Sequence, residues 1–383
     1  MKIYLVGGAV RDQLLNYPYH EQDWVVVGAS PEELIKKGFR PVGKDFPVFL
    51  HPVNHEEYAL ARTERKTAPG YKGFVFHTDT SVTLEEDLRR RDLTINAIAK
   101  DSNGELVDPY NGQGDIAQKQ LRHVSEAFGE DPVRILRIAR FLARFHHLGF
   151  SVAAETLALA RDMVSDGETK HLVAERVWQE TVKALQEKDP QYYFIFLQAC
   201  GALADVFTEV SRELFDHCIN NLIQVSKKTN NIVARFAAFC HALDIHQIVS
   251  MCNRLGTPNE FSDLATLAKQ HSMTIIVAAN DHTHNAEIRA RVDTVGEIDN
   301  VLKATSAIRK PDRFKQLLEL VIWLLGKSEK DLTYSFWLAL LEYYQAVDPQ
   351  VWIAQGYTGA ALGSKIHQDR IERIHTFMDE HLS

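Results

Sequence analysis

Cysteine is scarce. Cys200, Cys218, Cys240 and Cys252 are the only four in 383 residues, they stand far apart inside apolar helical patterns, and no two form a C-x-x-C pair. That argues against a disulfide framework or a cysteine-based zinc site and leaves buried free thiols as the expectation. No apolar run approaches the roughly 20 residues that span a bilayer. The first residues show neither a basic stretch leading into an apolar one nor a cleavage site, so the chain reads as cytoplasmic, with no membrane partner. An excess of positive charge is also missing: 43 Lys and Arg against 51 Asp and Glu give a net charge of −8. A nucleic-acid enzyme needs cations where it meets phosphate, and distribution matters more than the sum. Here Arg89-Arg90-Arg91 is a block, and Arg134, Arg137, Arg140 and Arg144 recur at the spacing of one helical face. No repeat or low-complexity stretch is present, the length predicts two or more packed units, and nothing sets an oligomeric state.

What is there begins at the N-terminus. The apolar run IYLV ends at Gly7-Gly8, and Ala9 to Leu15 follows at helical spacing, so backbone N–H groups at the helix start face an anion. Glu21-Gln22-Asp23 leads into WVVVG, and strand alternation sets positions 21 and 23 on one face, where two carboxylates favour a cation. To about residue 125, short β-rich runs (IYLV, WVVVG, PVFLH, EYALAR, LTINAIA, ELVDP) mix with a few helices. From Asp131 onward, amphipathic stretches follow one another, and residues 64–82, rich in Gly, Pro and Thr, form the best candidate for a mobile loop.

Asp131 before Pro132 suits a helix N-terminus. Glu130-Asp131-x-x-Arg134 also resembles a nucleotidyltransferase motif that reads the incoming base, and the resemblance implies that Asp131 accepts from the amino groups of cytosine or adenine and repels the carbonyl edges of uracil or guanine, while Arg134 donates to a ring acceptor beside it.

The opening frame resembles the polymerase β-type nucleotidyltransferase superfamily, and KIYLVGGAVRD, Arg90-Arg91-Asp92-x-x-x-Asn96-Ala and Glu130-Asp131-x-x-Arg134 are similar to motifs of bacterial class II CCA-adding enzymes. The resemblance implies an α+β fold: a polymerase β-like head with a mixed sheet at 1–125, a helical neck that recognises the base at 126–205, and a helical body and tail at 206–383 that bind tRNA through its acceptor and TΨC arms. It implies addition of C, C and A to tRNA from CTP and ATP with Mg²⁺. Glu21 and Asp23 would be the metal carboxylates, with Glu21 standing where the family has Asp, and Glu57 in EEYALART would be a third acid, the alternative being an exposed strand glutamate. Gly8, Arg11, Arg91, Asp92, Asn96, Asp131, Arg134, Arg137 and Arg140 would bind the nucleotide, and Arg144 would be solvated. An A-adding enzyme or poly(A) polymerase shares the head motifs, and a non-catalytic RNA-binding relative is the rival from another class. One branch of the family carries an HD-type phosphohydrolase; FAAFCHALD has Ala242 in place of the HD aspartate, which implies that this activity is absent and leaves His241 a core or surface histidine.

Overall fold

A computed structural model describes the chain except for residues 20–21, 43–47, 67–73, 78, 280–293, 328–330 and 383. It falls into two units, Met1–Thr208 and Glu209–Ser383.

In the first unit, β1 (Lys2–Val6) is followed by α1 (Gly8–Leu14), β2 (Asp23–Val27), α2 (Pro31–Lys36), β3 (Arg40–Val42), β4 (Val48–Leu50) and β5 (Glu57–Leu60). Then come the hairpin β6 (Thr63–Lys66) and β7 (Phe74–His77), α3 (Leu84–Arg89), β8 (Ala99–Lys100), β9 (Leu106–Val107) and α4 (Gly112–Gln118). Seven strands form a mixed sheet of order β3-β4-β5-β2-β1-β8-β9, in which β2 and β5 run parallel and the other neighbours antiparallel. Both faces are covered. Val6 and Val25 pack with Leu84 and Leu88 of α3, while Val26, Tyr58 and Leu60 pack with Leu34 of α2 on the opposite face. Each such fully buried aliphatic or aromatic side chain contributes about 1.5–3 kcal/mol. Two capping boxes fix the short helices: Ser30 with Glu33 before α2, and Thr83 with Glu86 before α3.

Two sequence expectations change here. LTINA reads as strand, yet Thr94–Asn96 is a 3₁₀ turn. The reason is polar: Thr94 donates to Asp115 at 2.6 Å and Asn96 to Asp92 at 2.9 Å, and these buried bonds outweigh the β-propensity of the segment. Within 64–82, expected as a loop, β6 and β7 pair antiparallel with Thr63 opposite His77; the stretch 67–73 lies outside the described residues.

The same unit continues as helices: α5 (Val133–Phe145), α6 (Ala154–Ser165), α7 (Ala174–Gln186), α8 (Gln191–Cys200) and α9 (Leu203–Val206). The pair β10 (Gln120–Leu121) and β11 (Ser151–Val152) ties the start of this region together. Ile135, Leu136, Ile138, Ala139 and Leu142 form the buried apolar side of α5 against α7 and α8.

The described secondary structure of the second unit consists of helices: α10 (Arg212–Ser226), α11 (Ile232–Cys240), α12 (Ile245–Leu255), α13 (Asn259–Ala279), α14 (Thr294–Ala304), α15 (Pro311–Leu324), α16 (Leu332–Gln345), α17 (Pro349–Ala354) and α18 (Gly359–Leu382). Its core gathers Phe236, Phe239, Phe314 and Trp337, and the indole N–H of Trp337 donates to the Ile275 carbonyl at 2.8 Å. Arg235 is buried because it closes the end of α10, donating to the carbonyls of Thr229 at 2.8 Å and Ser226 at 3.3 Å. No described helix is long and apolar enough to cross a membrane.

Candidate active site

The sheet register lines up one row of residues at one edge. Val6, the last residue of β1, pairs with Asp23, the first of β2, and Asp23 pairs in parallel with Glu57, the first of β5. Two exposed carboxylates thus stand side by side on adjacent strands, next to the point where the chain leaves β1 for the Gly7-Gly8 turn. The neighbouring pair verifies the register, since Trp24 stacks on Tyr58 with ring centroids 5.5 Å apart. Glu21 lies outside the described residues, and β2 begins at Asp23.

Gly7 adopts φ 70°, and a Cβ built on it would stand 2.9 Å from Nη1 of Arg91. The positive φ favours glycine, and any side chain here would also push the end of Arg91 aside. The turn carries Gly8 into α1 and thereby buries Arg11, whose guanidinium donates to both carboxylate oxygens of Asp12 (2.8 and 3.0 Å) and to the side-chain oxygen of Asn96. It also lies over the rings of Phe141 and Phe145 at 5.1 and 5.0 Å. Burial draws the Arg11 pKa down, with Asp12 opposing it. Asn96 passes the network on to Asp92, which accepts from Arg137 at 2.7 Å. Burial by itself would raise the Asp92 carboxyl; Arg137 and the Asn96 bond overcome it and hold the group well below the usual range, while Asp92 in turn raises Arg137.

The arginines of α5 do not form a solvent-facing basic stripe. Arg134 donates to the backbone carbonyls of Ala127 at 2.9 Å and Arg90 at 2.7 Å, Arg137 to Asp92, Arg140 to Glu180 at 2.7 Å, and Arg144 to Asp12 at 3.1 Å. Arg144, expected as solvated, instead joins α5 to α1 through Asp12 and lies over the Tyr17 ring at 5.1 Å. Asp131 sits just before the Pro132 cap of α5, accepts the Val133 N–H at 3.1 Å and is gripped by both terminal nitrogens of Arg176 at 3.1 and 2.9 Å.

Asp12, Arg176 and Glu180 therefore belong to the site's framework, and sequence reasoning passed over all three. A signal existed for two of them: Arg176 and Glu180 are charged and four apart on α7, beside buried Val177, Thr181, Ala184 and Leu185. In the second unit His241 ends α11 with Nε2 3.0 Å from the Ser272 hydroxyl, its backbone carbonyl accepting from Lys269 at 3.1 Å, and burial lowers its pKa.

A family model described as "Poly A polymerase head domain" matches residues 3–122, and one described as "Probable RNA and SrmB- binding site of polymerase A" matches residues 149–214. The chain is similar to the multifunctional CCA protein of Teredinibacter turnerae, with 46% identity over 415 aligned positions that cover 98% of this chain and 97% of the relative. The multifunctional CCA protein of Legionella pneumophila (strain Paris) is 45% identical over 99% of this chain and 98% of its own. Among solved structures, an apo form of a CCA-adding enzyme aligns with TM-score 0.71 and 20% identity over 100% of this chain and 91% of that one. A Thermotoga maritima CCA-adding enzyme complexed with tRNA-CCA aligns with TM-score 0.65 and 20% identity over 100% and 90%. At such identity the structural likeness shows the fold alone.

Proposed function

The chain belongs to the family of multifunctional CCA proteins, and from that premise we propose that it adds C, C and A in order to the 3′ end of tRNA from CTP and ATP, releasing pyrophosphate without a nucleic-acid template. The observation that carries this reading is the row Val6, Asp23, Glu57 beside the Gly7-Gly8 turn, because it sets paired carboxylates against an anion-accepting helix start. Nucleotidyl transfer to a hydroxyl is mainly a matter of positioning and charge stabilisation.

Asp23 with Glu21 would hold Mg²⁺, and Glu57 is the third acid; carboxylate oxygens are the hard donors that this cation favours. When bound, the metal supplies charge neutralisation at the triphosphate and acidifies the attacking 3′ hydroxyl. Gly8 brings backbone N–H groups to the phosphates, Arg11 and Arg91 set positive charge beside them, and Asp92, Asn96, Arg137 and Arg140 form the frame around sugar and base. Asp131 accepts from the amino group of cytosine or adenine and Arg134 donates to the ring acceptor, each held rigid by its bonds to Arg176 and to the two backbone carbonyls. By this reading residues 1–125 do the chemistry, 126–205 recognise the base, and 206–383 hold the acceptor and TΨC arms by shape and backbone contacts. No phosphohydrolase is assigned to the helical part: Ala242 offers no metal ligand, and the groups bonded to His241 are a serine and a lysine.

The test is to incubate the purified protein with tRNA that lacks its terminus and with each nucleoside triphosphate singly. Incorporation of CTP onto the bare end is the expected result. Incorporation of ATP alone would reassign the chain as an A-adding or poly(A) enzyme, and no incorporation would make it a non-catalytic RNA-binding relative.

A further inference from the structure

Asp87 is a carboxylate whose burial the chemistry above does not use. It is fully buried, in the last turns of α3, between Leu84 and Leu88 of the apolar cluster under the sheet. An ion in such surroundings is retained only when its partners are well placed. One oxygen accepts from Nε and Nη2 of Arg90 at 3.1 and 2.8 Å and from the backbone N–H of Arg62 at 3.3 Å; the other accepts from Nη2 of Arg91 at 3.2 Å. Arg90 also donates to the Arg62 carbonyl at 3.2 Å, so both backbone groups of Arg62 are held by the same pair. Arg62 immediately precedes β6, the first strand of the hairpin. Arg91 meanwhile extends its other terminal nitrogen toward the Gly7 turn and the Asn96 carbonyl, 3.5 Å away. Among the described residues Asp87 is the one carboxylate paired with Arg91.

Resting on the reading of the Gly7-Gly8 turn as the triphosphate site, we propose that Asp87 is a positioning residue for nucleotide binding: it fixes Arg91 against that turn and ties the arginine to the root of the β6–β7 hairpin. The consequence is a coupling. Whatever phosphate does to Arg91 is felt at Arg62, and a displacement of the hairpin root alters the grip on the triphosphate. Arg90 serves as the second arm of the clamp, since it meets the Arg62 backbone and Asp87 together.

The test uses the full chain and equilibrium binding of CTP, measured apart from turnover. Asp87→Asn keeps shape and removes charge, and it should weaken CTP about tenfold, the ~1.4 kcal/mol of one well-placed charged contact, while leaving tRNA affinity within twofold. Adding Arg91→Ala to Asp87→Asn should cost much less than Arg91→Ala costs alone. Additive losses, or an equal loss of CTP and tRNA affinity, would overturn the proposal in favour of a plain structural carboxylate. If Asp87→Asn does not fold, hydrogen exchange at the Arg62 amide decides: CTP should slow it in the unaltered protein and fail to do so in Arg91→Ala, and CTP-dependent slowing that survives Arg91→Ala overturns the coupling. A protein that binds CTP but adds nothing to tRNA would defeat the functional reading and leave this result standing.

Discussion

Asp23 and Glu57 are register partners at the first positions of two parallel neighbouring strands, so their carboxylates leave the same face of the sheet side by side. The register is what makes this possible: both residues stand in one row, and a slip of one residue would send Glu57 to the opposite face. Asp23→Ala should therefore lower the rate of CTP incorporation by about a thousandfold or more, and Glu57→Gln by about tenfold, as expected for a direct ligand and for a supporting group. Single-turnover rates at saturating CTP check this. A Glu57→Gln protein with unchanged rate at every metal concentration would make Glu57 an ordinary strand-end glutamate.

A Cβ at Gly7 would displace the end of the Arg91 side chain. Gly7→Ala combines a positive φ with a clash, and it should destabilise the protein by about 1–3 kcal/mol. CTP affinity should fall as well, because Arg91 has to move. Urea denaturation together with CTP titration separates the two effects, and a variant with normal stability and normal affinity would show that the turn relaxes freely.

Arg176 forks Asp131 from α7. Asp131→Ala should relax discrimination against UTP and GTP with tRNA affinity nearly intact, and Arg176→Gln should do so to a smaller extent by loosening the carboxylate. Competition of UTP against CTP at equal concentration is the measurement. Wild-type selectivity in Asp131→Ala would remove the base-reading role from this residue.

Asp92 gives the protein an acid-sensitive joint. Its carboxyl is held below the ordinary value of 3.8 once Arg137 and Asn96 have outweighed burial. A depressed folded value stabilises above the unfolded pKa, and that contribution is lost as pH falls through the folded one. The native protein should thus lose stability steeply below about pH 4, whereas Asp92→Asn should be less stable at pH 7 yet decline less on acidification. Denaturation curves at neutral and acid pH give both slopes. Equal slopes would assign the acid limb to other buried carboxylates such as Asp87.

All four cysteines are buried and free. Burial pushes the Cys200 thiol up to about 11 and the Cys218 thiol up to about 12. A disulfide-exchange reagent at pH 8 should find almost no reactive thiol in the native protein and four after denaturation. Fast reaction of even one native thiol would indicate local opening of its helix.

Much of this protein is decided locally and is therefore legible in its sequence. The apolar run, the Gly7-Gly8 turn and the helix after it are consequences of backbone sterics and spacing, and the helical character after Asp131 follows from periodicity. Asp131 ahead of a helix start is equally local. Scarce cysteine announced buried thiols because nothing else in the pattern needed them.

The rest depends on contacts between distant segments. Whether Glu57 joins Asp23 is a matter of strand pairing across more than thirty positions, which residue type does not encode. The four arginines of α5 have the spacing of an exposed basic face, yet Asp12, Asp92, Glu180 and two backbone carbonyls occupy them, because folding brings those acceptors to a helix that is buried on nearly every side. LTINA departs from strand for the same reason: the bonds from Thr94 and Asn96 to Asp115 and Asp92 exist only once the chain has folded. Periodicity reports which side chains avoid water, and only the tertiary structure decides which buried charges find each other.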